Sequence, residues 1–181
     1  VAISVVRMFS ILGALEILID DYNRREFVPI MEADWAAYLY HVALRSMPAS
    51  KVHLQTRITG QPDKVKYDFV IGSETSGHRP TVSPECVCEI KCFVRGFDFQ
   101  QCQAHVHEII HRDLPKLARI KRLTEVRYEL IFDEINHLSG GARRPHRTKL
   151  DRVVSERNSL DRDLAILLAH PRAGHLEIES K

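Results

Sequence analysis

The sequence predicts a mixed α/β domain, a central sheet with helices on its faces, and three observations predict it. Short apolar runs at 65–71, 86–93 and 126–133 have the length and the β-branched and aromatic content of buried strands. Longer stretches with apolar residues three and four apart lie before and between them. The resulting order is a helix, three strands, a helix and a strand. Meandering strands followed by a helical crossover put antiparallel and parallel pairs in one sheet.

The first nineteen residues are almost wholly apolar, broken by Arg7 and Glu16, and no small-residue cleavage site follows. Neither a membrane span nor a signal peptide is expected. A helix that is apolar all round is normally buried, so residues 1–25 are expected to pack on the domain or to join a second copy in a homodimer. After the polar stretch at 20–25 comes a helix over 29–46, with Pro29 suited to its first turn. Ile30, Ala33, Ala37, Tyr40 or His41, and Leu44 form its inner stripe, and Met47-Pro48 stops it. A strand over 52–59, a turn at Gly60-Gln61-Pro62-Asp63 and the strand over 65–71 follow. A loop over 72–84, an ordered excursion through Gly77 and Pro80, leads to the strand over 86–93. Asp98 caps the next helix, which Pro115 kinks before Arg122, and 126–133 is the fourth strand. After Gly140-Gly141 a last helix spans 150–170. Residues 26–138 thus form the core, and 139–181 a basic loop with a C-terminal helix.

With 181 residues, 44% apolar and 28% charged, the chain has the composition of one soluble globular domain. A net charge of +2 is no global basic signal, so a nucleic-acid footprint has to be local. Four cysteines without a C-x-x-C pair suit neither a disulfide framework nor a zinc knuckle. They read as small core residues of a cytoplasmic chain.

Asp68 lies in the second strand, and Glu89-Ile90-Lys91 follows in the third after a gap of twenty residues. Strand side chains alternate between faces, so Glu89 and Lys91 share one face while Cys86, Cys88, Ile90 and Cys92 take the other. Two acids and a lysine on otherwise apolar strands cost several kcal/mol unless something pairs with them. A divalent cation is a partner that justifies the placement, because hard Mg²⁺ takes carboxylate oxygens and brings waters and phosphate with it.

At these residues the chain resembles the PD-(D/E)xK nuclease superfamily, whose pattern is an acid on one strand and acid-x-Lys on the next. The restriction-endonuclease-like core of that family has the order αβββαβ, which the elements from 29 to 136 repeat. Tyr67 stands where the family often has proline. The resemblance implies DNA as partner, Mg²⁺ or Mn²⁺ as cofactor and phosphodiester hydrolysis as the reaction. It also implies Asp68 and Glu89 as metal ligands, the Ile90 carbonyl as a third, and Lys91 as the residue that orients the attacking water. Many members add a glutamate at the start of the first core helix, a position matched by Glu32, with Asp34 as the alternative. Some exonuclease members line the site with a glutamine of the second helix, matched by Gln103 or Gln101. Duplex cleavage by one site per chain also calls for a two-fold pair.

On the second helix, Phe99, Cys102, Val106, Ile109, Ile110 and Leu117 cluster as the buried face, and Gln100, Gln103, His107 and His111 form an edge stripe. His107 is a candidate for lining the site. The same helix spells His107-Glu108-Ile109-Ile110-His111, the HExxH pattern of zinc metallopeptidases. That reading lacks the family's extension after His111, where the chain runs Arg112-Asp113-Leu114-Pro115, and it gives Asp68, Glu89 and Lys91 no role. Arg143, Arg144, Arg147 and Lys149 form a short basic loop suited to DNA phosphates. A third reading is a nuclease-fold subunit that binds DNA or assembles without cleaving, since a fold alone never establishes activity.

Overall fold

The computed structural model describes residues 11–76, 79–140 and 148–181. Residues 1–10, Gly77, and Arg143, Arg144 and Arg147 of the basic loop lie outside them. A six-stranded sheet in the order β1-β2-β3-β4-β5-β6 forms the middle layer. Its strands are β1 (Val52–Thr56), β2 (Tyr67–Thr75), β3 (Thr81–Phe93), β4 (Val126–Asp133), β5 (Ala165–Arg172) and β6 (His175–Ser180). The β1–β2, β2–β3 and β5–β6 pairs are antiparallel, and β3–β4 and β4–β5 are parallel. The expected mixed α/β architecture is therefore what forms.

Helices α1 (Ile11–Asn23) and α2 (Glu32–Ala43) cover one face of the sheet, where Leu15, Leu18, Trp35 and Leu39 meet Cys88, Ile90, Cys92 and Phe132. The other face is covered by α3 (Phe99–Glu108), a π turn (Ile109–Asp113), α4 (Leu114–Arg119) and α5 (Lys149–Leu160). There Cys102, Val106, Leu114, Leu117 and Val153 meet Val87, Phe93 and Ile131. All four cysteines are free and buried. No helix among the described residues is long and apolar enough to cross a membrane.

Four expectations need correction. The first core helix starts at Glu32 rather than near Pro29, and its inner stripe is Trp35, Leu39, Val42 and Ala43. Ile30 is 75% exposed and Leu44 36%. Two stripes at helical spacing competed, and the one carrying the indole, with much the larger apolar area, faces the core. The loop expected over 72–84 is largely strand, paired from Gly72–Pro84 to Thr75–Thr81. Gly72 sits at a register shift, where an added Cβ would lie 2.2 Å from the Ser83 carbonyl oxygen, so the close approach of strands requires glycine.

The helix beyond Asp98 is interrupted by the π turn ahead of Pro115, and Phe99 is 69% exposed instead of buried. The last helix ends at Leu160, and 165–180 form β5 and β6. Ala and Leu favour helix intrinsically, but the open edge of β4 selects strand for Ala165-Ile166-Leu167-Leu168. Of the apolar N-terminal segment, the described residues from Ile11 onward pack on the domain, one of the two placements expected for it. Ile11, Ala14, Leu15, Leu18 and Ile19 are buried, and Asn23 clasps both backbone groups of Leu176 on β6 at 3.0 and 2.9 Å.

Trp35 is fully buried and stacks on Phe132 with ring centroids 4.1 Å apart. Trp35→Ala is expected to destabilise the fold by about 3–5 kcal/mol, measured by denaturant unfolding; a loss below about 1 kcal/mol would refute this packing.

Candidate active site

The strands β2 and β3 pair as far as Phe69–Cys88 and then part, so that Asp68 and Glu89 stand where the ladder opens. Asp68 stands in for a strand there: its Oδ2 accepts the Ile90 N–H at 2.9 Å. Its Oδ1 accepts from Gln55, the residue of β1 that leaves the ladder with a φ of +47°. Non-glycine residues seldom take that conformation, and here it aims an amide at the acid. The opening is the floor of a cleft of about 600 Å³, lined among others by Glu32, Asp68, Glu89, Lys91 and Asp113.

Lys91 is the centre of the charge network. Its Nζ lies 3.4 Å from Glu32 Oε2, 3.3 Å from Glu108 Oε2 and 3.4 Å from Asp113 Oδ2. In an α-helix, residues five apart stand about 140° out of phase. The π turn, with its i→i+5 bonding, lets Glu108 and Asp113 reach the same ammonium. A second lysine, Lys116 on α4, lies 2.7 Å from Glu89 Oε1 and 4.6 Å above the Tyr67 ring. Lys64, Lys66 and Arg112, all exposed, add positive charge at the rim.

Burial dominates the electrostatics. It raises the Glu89 pKa to about 8, with repulsion from Asp68 adding to it and Lys116 opposing it. Burial likewise lifts Glu32 to about 7, against the attraction of Lys91. Asp113 is raised by burial despite Lys91 and Lys116. For Lys91, burial would lower the pKa, but Asp113, Glu32, Glu108 and Glu129 outweigh it and hold the ammonium protonated above its ordinary value. Glu129 on β4 pairs in register with Glu89, is fully buried, and neither of its oxygens has a hydrogen-bond partner among the described residues. Burial and the carboxylates of Asp113 and Glu89 keep it protonated well above the usual carboxylate range.

Asp68, Glu89, Lys91 and Glu32, named from the sequence, thus meet in one cleft. Asp34 instead caps its own helix, accepting from the N–H groups of Ile30 and Met31 at 2.7 and 2.9 Å. Gln101 is used in the Asp98 capping box, and neither it nor Gln103 nor His107 lines the cleft; His105 and Glu108 do. A glutamine needed for the cap cannot also reach the sheet. His107 and His111 are exposed, their rings 4.3 Å apart, while Glu108 turns away toward Lys91. Lys149 lies 2.7 Å from His137 and over the Phe99 ring, outside the cleft lining. Sequence reasoning missed Asp113, Lys116 and Glu129. Glu129 carries the signal that singled out Glu89, an acid inside an apolar strand.

Among the described residues, no three His, Cys, Asp or Glu side chains already surround one metal position. The donor chemistry nevertheless fits a hard cation. Asp68 and Glu89 bring carboxyl oxygens to one cleft, where burial and the neighbouring Asp68 disfavour the charged form of Glu89 as long as no cation is there, and Mg²⁺ needs only one or two carboxylates besides water and phosphate. The Cys92 thiol is a poor donor, because burial pushes it up to about 12.

No family model matches the chain, and no curated protein matches it significantly. Among solved structures it is similar to Pyrococcus furiosus SfsA in complex with Ca²⁺, at 13% identity and a TM-score of 0.32. The match covers 83% of this chain and 61% of that one. A likeness this distant carries no assignment of fold or activity.

The Glu89 shift has a direct consequence for stability. Between the ordinary value of 4.5 and about 8, the unfolded chain loses this proton while the folded chain keeps it, so stability falls as pH rises through that window. In chelator, Glu89→Gln is expected to remove this contribution, so that the variant gains on the wild type from pH 5 to 8 in chemical unfolding. A constant difference between the two across the range would show that Glu89 is ionised throughout.

Proposed function

We propose that the chain is a divalent-metal-dependent nuclease that hydrolyses phosphodiester bonds in DNA through Asp68, Glu89 and Lys91. The observation that carries this reading is the meeting of the three side chains where β2 and β3 part, with Asp68 bonded to the backbone N–H between Glu89 and Lys91. Asp68 and Glu89 would hold Mg²⁺ or Mn²⁺, with the Ile90 carbonyl as the further oxygen that the resemblance implies. The bound ion would supply a water of lowered pKa and positive charge beside the phosphate.

The rest of the work falls to side chains. Lys91 is anchored by three carboxylates and stays protonated. It serves as a hydrogen-bond donor to the attacking water or to a phosphate oxygen, where it offsets developing charge. Glu32, with a pKa near 7 and Oε2 facing Lys91, is suited to take a proton from a water held there. Lys64, Lys66 and Arg112 at the rim would supply phosphate contacts.

Asp68→Ala and Glu89→Ala are each expected to lower Mg²⁺- or Mn²⁺-dependent DNA cleavage by more than about 100-fold, the upper end of what outer-shell changes cost at metal sites. Lys91→Ala is expected to lower kcat by about 100-fold with a smaller effect on metal affinity. Circular dichroism checks that each variant folds. Full activity in either acid variant overturns the mechanism, and DNA binding with no cleavage in any divalent metal makes the chain a non-catalytic subunit.

A further inference from the structure

We propose that Lys116 is a built-in counter-cation of the metal position, which competes with a divalent ion for Glu89 and, once displaced, turns to the phosphate of the substrate. The inference rests on the nuclease reading and goes beyond it, to how metal and nucleic acid depend on each other. Its ground is the contrast between the two lysines of the cleft. Lys91 is held by three carboxylates from α2, α3 and the π turn. Lys116 has one ion pair among the described residues, to Glu89 Oε1 at 2.7 Å.

That oxygen, on a carboxylate that is 3% exposed, opens to a metal when the ammonium leaves it. The lysine is well placed to do so. Its side chain is only 15% exposed, so it is part of the cleft wall. Leu114 and Leu117 on either side of it are fully buried and fix the backbone of α4, leaving the four-carbon stem to move. The Tyr67 ring lies beneath Nζ at 4.6 Å and favours a cation whether or not Glu89 is available. A +2 ion offers Glu89 and Asp68 more charge than the ammonium it replaces, and the released ammonium remains in the cleft where a phosphate would lie.

The consequence is reciprocal coupling. DNA that draws Lys116 to its phosphate strengthens metal binding, and metal strengthens DNA binding by the same factor. Mn²⁺ titrations followed by calorimetry on the full chain test this with wild type, Lys116→Met, Lys116→Arg and Glu89→Gln. Lys116→Met is expected to bind Mn²⁺ about tenfold more tightly than wild type, equivalent to about 1.4 kcal/mol. Lys116→Arg, which keeps the charge, should stay near wild type, and Glu89→Gln should lose binding. A phosphorothioate oligonucleotide should tighten Mn²⁺ binding to wild type but not to Lys116→Met. Equal or weaker binding by Lys116→Met, with wild type binding Mn²⁺ through Glu89, overturns the counter-cation and leaves the nuclease reading standing. The absence of Mn²⁺ binding in every protein, the oligonucleotide present, overturns both.

Discussion

A carboxylate on an inner strand of a sheet with helices packed on both faces loses most of its hydration, and Glu89 does so with Glu129 beside it on β4. Neither acid can be left to itself in such surroundings. Glu89 has the Lys116 ammonium against one oxygen yet holds its proton to a higher pH than usual, and Glu129 keeps its proton well above the usual carboxylate range. Lys91, two residues along the same strand and also buried, needs acids in turn and draws them from α2, α3 and the π turn. Each charge in the cleft is thus the reason for the next. Hydrocarbon side chains of similar volume would hold the sheet and helices together at least as well, so stability alone does not account for the network.

Departures from regular structure gather around the same charges. Glu108 and Asp113 converge on Lys91 only because the helix widens to a π turn between them. Gln55 adopts a left-handed conformation and reaches Asp68 from a strand that is otherwise in register. The β2–β3 ladder stops at Phe69–Cys88, and a side-chain carboxylate takes over a backbone hydrogen bond beyond that point. Each irregularity has a local cost, and each brings a polar group to the cleft. The β3–β4 pair, by contrast, runs in unbroken register from Cys86–Val126 to Phe93–Asp133.

The central part of this arrangement was legible in the residues themselves. Strand alternation is a local rule, and it correctly put Glu89 and Lys91 on one face with Cys86, Cys88, Ile90 and Cys92 on the other. The acid before Glu-x-Lys and the order of elements pointed to one cleft. The same rule applied to 126–133 would have exposed Glu129, whose neighbours Leu130, Ile131 and Phe132 are all buried. Asp113 and Lys116 were harder to find. On a regular helix Glu108 and Asp113 fall on different sides, and nothing short of the π turn aligns them.

The amino-acid sequence by itself determined the alternation within each strand, the capping of α3 by Asp98 and the chemistry of the acids and lysines, because these depend on near neighbours along the chain. Tertiary structure decided the rest. Which face of α2 turns inward depended on where Trp35 could stack, on Phe132 nearly a hundred residues away. Whether 165–170 became helix or strand depended on the unpaired edge of β4, which offered backbone hydrogen bonds that local propensity could not anticipate. And whether Glu89 meets an ammonium or solvent depended on packing α4 against β3, a contact that exists only once the helical crossover has closed over the sheet.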